Sequence, residues 1–389
     1  MTDSGKFVSK KVKSIPPSGI RRFFDLAVGI PGVISLGVGE PDFVTPWHVR
    51  EACSYSLEQG YTMYTSNAGL LELREELQKS ILNEYGLNYD PISQIIITVG
   101  ASEAVDLAIR AVVEPGDEII ICEPSYVSYK PCVSLAGGIP VPIKTEGQYE
   151  FKLQADQLEE SITSKTKAII MSYPNNPTGG IMTKTDLEDI KRVIIKHDLL
   201  VISDEIYSKL TYGQVHTSIA SLPEMQERTV VINGFSKAQA MTGWRIGYSF
   251  GPEAIISAMV KIHQYTILCA PIMAQKAACE SLRNGKEEIT RMYEEYDKRR
   301  RFVFNSFIEM GLDCFEPMGA FYIFPNINKT GLNSEEFAQE LLKEEKVAVV
   351  PGNAFGLGGE GHIRCSYAAS FNKLVEALTR IERFINKRI

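Results

Sequence analysis

Lys237 and Arg245 stand eight residues apart in VINGFSKAQAMTGWRIGY (231–248), between an apolar run at 229–233 and a second that opens at Arg245. Lysine is among the side chains least often fully buried, so an amine and a guanidinium set between two interior strands need a chemical reason. An amine can attack an aldehyde to form a Schiff base, and a guanidinium meets a carboxylate or phosphate with two parallel hydrogen bonds. Other apolar runs also end on polar groups. QIIITV (94–99) leads to Gly100, Ala101 and Ser102, and EIIIC (118–122) leads to EPSYVSY, which contains Tyr126. AIIM (168–171) leads to SYPNNPTGG with Asn176, and LLVIS (199–203) leads to DEIY with Asp204 and Tyr207.

The elements that must position these groups alternate along the chain. IPVPI (139–143), TVVIN (229–233) and RIGYSF (245–250) read as further strands, and SEAVDLAIRAVV (102–113) and KTDLEDIKRVIIKH (184–197) as helices. Strands apolar on both faces and separated by helices predict a largely parallel sheet covered on both sides. Only 234–244 joins the last two strands, so one of them is expected to run antiparallel. Beyond residue 280 the pattern changes to a long charged helical segment, 289–310, then AFYIFP and KVAVVPG strands and a closing helix. This predicts a large domain over 45–285 and a smaller α+β domain from 1–44 and 286–389. Ligands of open parallel sheets bind outside the C-terminal ends of the strands, so the polar groups are expected to share one rim. An amine, an acid, phenols, an amide and a glycine-rich helix start suit a phosphorylated aldehyde cofactor. The lysine would form the Schiff base, the acid would pair with a pyridinium, and the helix N-terminus would take the phosphate.

The whole-chain numbers narrow the class. The 389 residues, 44% of them hydrophobic, are enough for two or three domains with well-buried cores. A net charge of −7 gives no reason to expect a nucleic-acid partner. The seven cysteines are odd in number and scattered without a C-x-x-C, which predicts a reducing, cytoplasmic setting. The five histidines are isolated from one another, so no metal site is expected. MTDSGKFVSKKVKSIPP carries basic residues but no apolar core, unlike a secretory signal, and no run approaches the ~20 apolar residues of a membrane helix.

At this point the sequence is identified as resembling the class I/II aminotransferases, fold type I enzymes of pyridoxal phosphate, over nearly its whole length. The stretches that carry the resemblance are SLGVGEPDFVTP (35–46), YTSNAGLLELREEL (64–77), PNNPTG (174–179), SDEIY (203–207), SKAQAMTGWRIGY (236–248), GAFYIFP (319–325) and VVPGNAFG…GHIRCSYA (349–368). Any one is weak, but their order and spacing together are specific. The resemblance implies a three-layer α/β sandwich around a mostly parallel seven-stranded sheet, with a smaller α+β domain. It implies that Lys237 bonds to pyridoxal 5′-phosphate and shuttles the proton, that Asp204 pairs with the pyridine N–H, and that Tyr207 and Asn176 reach the ring oxygen. Tyr126 would stack on the ring. Ser236, Arg245 and the Gly100–Ser102 backbone would bind the phosphate, joined by Tyr64 from a neighbouring subunit of a homodimer. Arg364 would hold the substrate α-carboxylate, with the Gly39 N–H beside it and Asn176 at hand.

Each assignment has an ordinary rival. A lysine after a strand is usually a solvated loop residue, and Asp204–Glu205 would ordinarily be a helix N-terminus with a solvated neighbour. DKRRR (297–301) reads as the solvated face of a long helix. GLGGEG (356–361) fits G-x-G-x-x-G formally but leads into a strand, so it reads as a turn. Substrate choice is the least determined feature. Some dicarboxylate-selective relatives carry a lysine where this sequence has Ser102, so aromatic or broad-range amino donors come first, with 2-oxoglutarate as acceptor by resemblance. Ile20, in IPPSGIRRFF (15–24), is expected to line the substrate pocket. Aspartate, alanine or an acylated diamino acid as donor, or C–S β-elimination with the same cofactor, remain alternatives. A purely regulatory role would call for an added DNA-binding domain, and only about thirty residues precede the first motif.

Overall fold

The computed structural model describes residues 4–17, 19–20, 23 and 29–389; Ser18, Arg21, Arg22 and Phe24 of the 15–24 segment lie outside the described residues. Twelve strands are described. They are β1 (Ile34–Ser35), β2 (Ile95–Thr98), β3 (Glu118–Glu123), β4 (Ile139–Lys144), β5 (Thr166–Ser172) and β6 (Leu200–Asp204). The rest are β7 (Thr229–Gly234), β8 (Gly247–Phe250), β9 (Tyr322–Ile323), β10 (Val347–Ala348), β11 (Val350–Pro351) and β12 (Ile363–Ser366).

The seven strands expected from the apolar runs form one sheet in the order β2-β8-β7-β6-β5-β3-β4. It is parallel except for β8, which runs antiparallel to β2 and to β7. The reason is connection length, because 234–244 is too short for the crossover that a parallel pair needs. Side chains alternate between the two faces. Ile96, Ile119, Ile121, Ile170, Ile202 and Ile232 pack with helices Ala101–Val112 and Glu253–Thr266 on one side. Ile120, Ile169, Met171 and Val201 pack on the other, against Leu187, Ile190 and Ile194 of helix Lys184–Lys196. That helix starts where Thr183 and Asp186 cap each other's backbone reciprocally. The result is three layers, with both sheet faces dry.

Two smaller sheets lie outside this one. β1 pairs in parallel with β10, and β12 runs antiparallel between β9 and β11. They share a core with Phe307 and Val303 of helix Lys286–Glu309, Leu341 of helix Ser334–Glu345, and Leu378 and Ile381 of helix Phe371–Ile385. The turn at PNNPTG joins the large sheet to this region. Gly319 N–H donates to Gly179 O at 2.9 Å, and a Cβ on Gly179 (φ +73°) would stand 2.5 Å from the Pro317 Cβ.

The basic cluster at 297–301 is a solvated face only in part: Lys298 and Arg301 are exposed. Arg299 and Arg300 are buried. Arg299 Nη1 meets Asp42 Oδ1 at 2.8 Å, and Arg300 reaches Asp297, Glu316 and the Pro317 carbonyl. Helical periodicity turned these two guanidiniums inward, where acids from other segments meet them. The Arg299–Asp42 pair ties the long helix to the 35–46 loop. Thr45 completes that tether, donating to Ala240 O at 2.6 Å and accepting from Trp244 Nε1 at 2.9 Å.

Candidate active site

The C-terminal ends of β5, β6 and β7, together with β9 and β12, face a cavity of about 610 Å³. Ile20, Gly39, Ala101, Ser102, Tyr126, Asn176, Asp204, Tyr207, Ser236, Lys237, Arg245 and Arg364, all picked out in the sequence, line it. Gly100 sits at its edge, capping the helix that begins at Ala101. Tyr64 does not reach it, and its side chain is 81% exposed.

Strand register sets the acid. Asp204 is the last residue of β6, opposite Ser172 of β5 and Ile232 of β7. The chain then turns through Ile206 and Tyr207 without forming a helix, so the expected helix N-terminus is absent here. Asp204 Oδ2 accepts from the Tyr129 hydroxyl at 2.7 Å and Oδ1 from the Ile206 N–H at 3.2 Å. Burial pushes its carboxyl above the ordinary carboxylate value, and the Tyr129 and Ile206 hydrogen bonds and Lys237 oppose that rise. Such a group is stabilised by a cationic N–H donor placed against it. Glu205 is not a solvated neighbour but fully buried, accepting from Ser203, Ser218 and His216.

Lys237 follows β7, and its Nζ donates to Gly39 O at 2.8 Å from between the rings of Tyr207 (5.7 Å) and Phe321 (5.8 Å). Burial lowers its pKa to about 8; Arg364 and Arg245 act in the same direction, while Glu40 and Asp204 oppose it. The loop that carries it holds Ala240 and Arg245 in the left-handed region, at φ +53° for each. Strain of this kind in non-glycine residues concentrates at functional sites.

Arg245 answers to the start of helix Ala101–Val112. A Cβ on Gly100, at φ +78°, would stand 2.6 Å from Arg245 Nη2, so glycine lets the guanidinium lie over the turn. No side chain caps this helix, and the Ala101 and Ser102 N–H groups donate to no acceptor among the described residues. Two free N–H groups, the Ser236 and Ser102 hydroxyls and a guanidinium make an anion cradle.

A second anion position lies across the cavity. Arg364, in β12, is buried; its Nη1 donates to Asn176 Oδ1 at 2.8 Å and its Nη2 to Gly37 O. Its Nε is buried without an acceptor among the described residues. The guanidinium is sandwiched by Tyr322 at 4.5 Å and Phe355 at 4.9 Å. Tyr322 also shares a 2.8 Å hydrogen bond with Tyr207, hydroxyl to hydroxyl.

Sequence reasoning missed Tyr129, Tyr322 and Phe355 as site residues, although each stands in a quoted motif. Their signal was position alone, because what they touch comes from distant segments. Glu40 was also missed; its exposed side chain lines the cavity.

An amine of lowered pKa, a buried acid and two separate sets of anion donors share one cavity, as a group-transfer site for amino acids would need. The comparisons agree. The family model for aminotransferase class I and II matches residues 31–381, and the chain belongs to that family. It is 56% identical to YugH of Bacillus subtilis, a protein named only provisionally as an aminotransferase, over 98% of this chain and 99% of that one. It is 46% identical to an aspartate aminotransferase of Pyrococcus abyssi over 98% and 99% of the two chains. Among solved structures it superimposes on the aromatic aminotransferase of Pyrococcus horikoshii OT3 with a TM-score of 0.90 at 45% identity, covering 95% of this chain and 99% of that one. The architecture is that of the fold type I aminotransferases, and the protein is a transaminase.

Proposed function

We propose that this aminotransferase holds pyridoxal 5′-phosphate in the 610 Å³ cavity and moves amino groups from aromatic, or a broad range of, L-amino acids to 2-oxoglutarate by a ping-pong mechanism. The observation that carries the reading is that Lys237, Asp204 and Arg364 face that one cavity. The donor set fits the cofactor. The cradle at Gly100 suits a phosphate, the raised Asp204 carboxyl suits a protonated ring nitrogen, and the Lys237 amine suits an aldehyde. When bound, the cofactor supplies an aldehyde for the substrate amine and a ring that accepts the electrons left at the α-carbon.

The chain's own residues do the rest. Lys237 would bond to the cofactor aldehyde and, as a free amine, would take the proton from the substrate α-carbon. Its lowered pKa leaves roughly a tenth of the amine free at pH 7, against well under a thousandth for an ordinary lysine. Asp204 would keep the ring nitrogen protonated, and Tyr129 keeps Asp204 in place. Tyr207 and Asn176 would donate to the ring oxygen, and Tyr126 would cover the ring. Ser236, Ser102, Arg245 and the Ala101 and Ser102 N–H groups bind the phosphate. Arg364 and the Gly39 N–H hold the α-carboxylate, with Arg364 oriented by Asn176.

Several features support the substrate class and the assembly. Ile20, Val38, Tyr126 and Tyr322 give the cavity an apolar and aromatic wall, and Ser102 occupies the cradle without a lysine. Relatives of similar identity are named as aspartate and as aromatic aminotransferases, so the names alone do not separate the two. Tyr64 and its neighbour Met63 are exposed hydrophobics that a second copy would cover, bringing Tyr64 to that copy's phosphate. The separate sheets fit a cofactor domain over 45–285 and a smaller one from 1–44 and 286–389.

The test is a panel of amino donors with 2-oxoglutarate, followed by the absorbance change as the cofactor passes from aldehyde to amine form. Aromatic donors should turn over at least as well as aspartate. Pyruvate release from cystathionine without amino transfer would sink the reading.

A further inference from the structure

Behind the anion cradle lies a pair of side chains that the proposed reaction does not use. Glu103 stands in the first turn of helix Ala101–Val112 but does not line the cavity. Its Oε2 accepts from the Val99 N–H at 2.5 Å, and its Oε1 accepts from His263 Nδ1 at 2.7 Å. His263 belongs to the adjacent helix Glu253–Thr266 and is fully buried, with no partner for its Nε2 among the described residues.

The direction of these bonds matters. A glutamate at this helix position usually reaches back to the N–H of the capping residue. Here it takes the N–H one residue earlier, at Val99. The turn below it is closed by its own bonds, Gly100 N–H to Thr98 O at 2.9 Å and Thr98 Oγ1 to Gly100 O at 3.0 Å. Glu103 therefore fixes the turn without occupying the N–H groups of Ala101 and Ser102. A carboxylate so close to a helix N-terminus is itself drawn to those groups and would repel a phosphate there. The second bond, to His263, holds the carboxylate's other oxygen.

We propose that Glu103 and His263 are positioning residues for phosphate recognition. Glu103 holds the Val99–Gly100 turn, and His263 keeps the Glu103 carboxylate away from the N–H groups that bind the cofactor phosphate. The inference rests on the cofactor reading above. It differs from a plain tie between two helices, which would affect stability but would not distinguish phosphorylated from unphosphorylated ligand.

The experiment compares binding of pyridoxal 5′-phosphate and of pyridoxal, which lacks the phosphate, to full-length protein freed of cofactor, by fluorescence. His263→Phe removes the donor and keeps a ring in place; His263→Gln keeps an N–H. Glu103→Gln removes the charge, so even if His263 changes tautomer and accepts from the amide, neither bond is any longer to a charged group. Loss of a hydrogen bond to a charged group predicts roughly tenfold or greater weakening of pyridoxal 5′-phosphate binding in His263→Phe and Glu103→Gln. Pyridoxal binding should stay within about twofold, and His263→Gln should lie near wild type. Equal weakening of both ligands, or no weakening of either, overturns the proposal. If His263→Phe does not fold, Glu103→Gln decides by the same criterion. Failure of the wild-type protein to bind pyridoxal 5′-phosphate would instead overturn the cofactor reading.

Discussion

Tyr129 donates its hydroxyl proton to Asp204 Oδ2 at 2.7 Å, with both side chains buried. The phenol works against the burial that raises the Asp204 carboxyl, and so helps keep an anion where a ring N–H would need one. Asp204→Asn keeps the shape and removes the charge. Each ~1.4 kcal/mol of lost transition-state stabilisation is tenfold in rate, and we expect at least two such steps, mostly in kcat, with weaker cofactor affinity. Tyr129→Phe removes one hydrogen bond to a charged group, and about tenfold in kcat is expected. Steady-state kinetics of both variants check this; a change confined to KM in Asp204→Asn would refute the electron-sink role.

Lys237→Ala should fold and bind pyridoxal 5′-phosphate without bonding to it. Borohydride should then leave no cofactor on the chain by mass spectrometry, and turnover should fall by several orders of magnitude, since one amine is both attachment point and proton carrier. Near-wild-type turnover would remove Lys237 from the mechanism.

The pH dependence follows from the same amine. Its pKa of about 8 means that below pH 8 it is mostly protonated and cannot attack. Attachment of the cofactor aldehyde to the cofactor-free protein should therefore quicken about tenfold per pH unit and level off above 8. Glu40→Gln removes an influence that raises this pKa, so the plateau should begin at lower pH. Stopped-flow absorbance measures both; a rate still climbing at pH 10 would mean an ordinary lysine.

Arg364→Ala tests the α-carboxylate position. Removing one partner of a desolvated charge pair costs ~2–5 kcal/mol, roughly 30- to 5000-fold. The loss should appear in kcat/KM for every amino acid donor, whatever its side chain. An amine without a carboxylate should lose little, because it offers the arginine nothing to hold. Equal losses for the two kinds of donor would make Arg364 structural.

Much of this was legible in the chain. The strands of the large sheet appear as apolar runs because, apart from the half-exposed edge strand β4, both their faces are buried, and a run apolar throughout is readable without knowing its neighbours. The antiparallel β8 followed from the length of 234–244. Lys237, Asp204, Asn176 and Arg364 stood out because each follows or sits in a strand within a motif whose order along the chain is specific.

Tertiary structure alone decided which groups touch. Tyr129 meets Asp204 across 75 residues, Arg364 meets Asn176 across 188, and His263 meets Glu103 across 160. Periodicity gives the face on which a side chain lies, but not what another segment places against that face. For that reason Arg299, Arg300 and Glu205 looked solvated in sequence and proved buried, each hydrogen-bonded by groups from elsewhere in the chain. A buried charge is tolerable only when partners surround it, and those partners are assembled by folding rather than by adjacency.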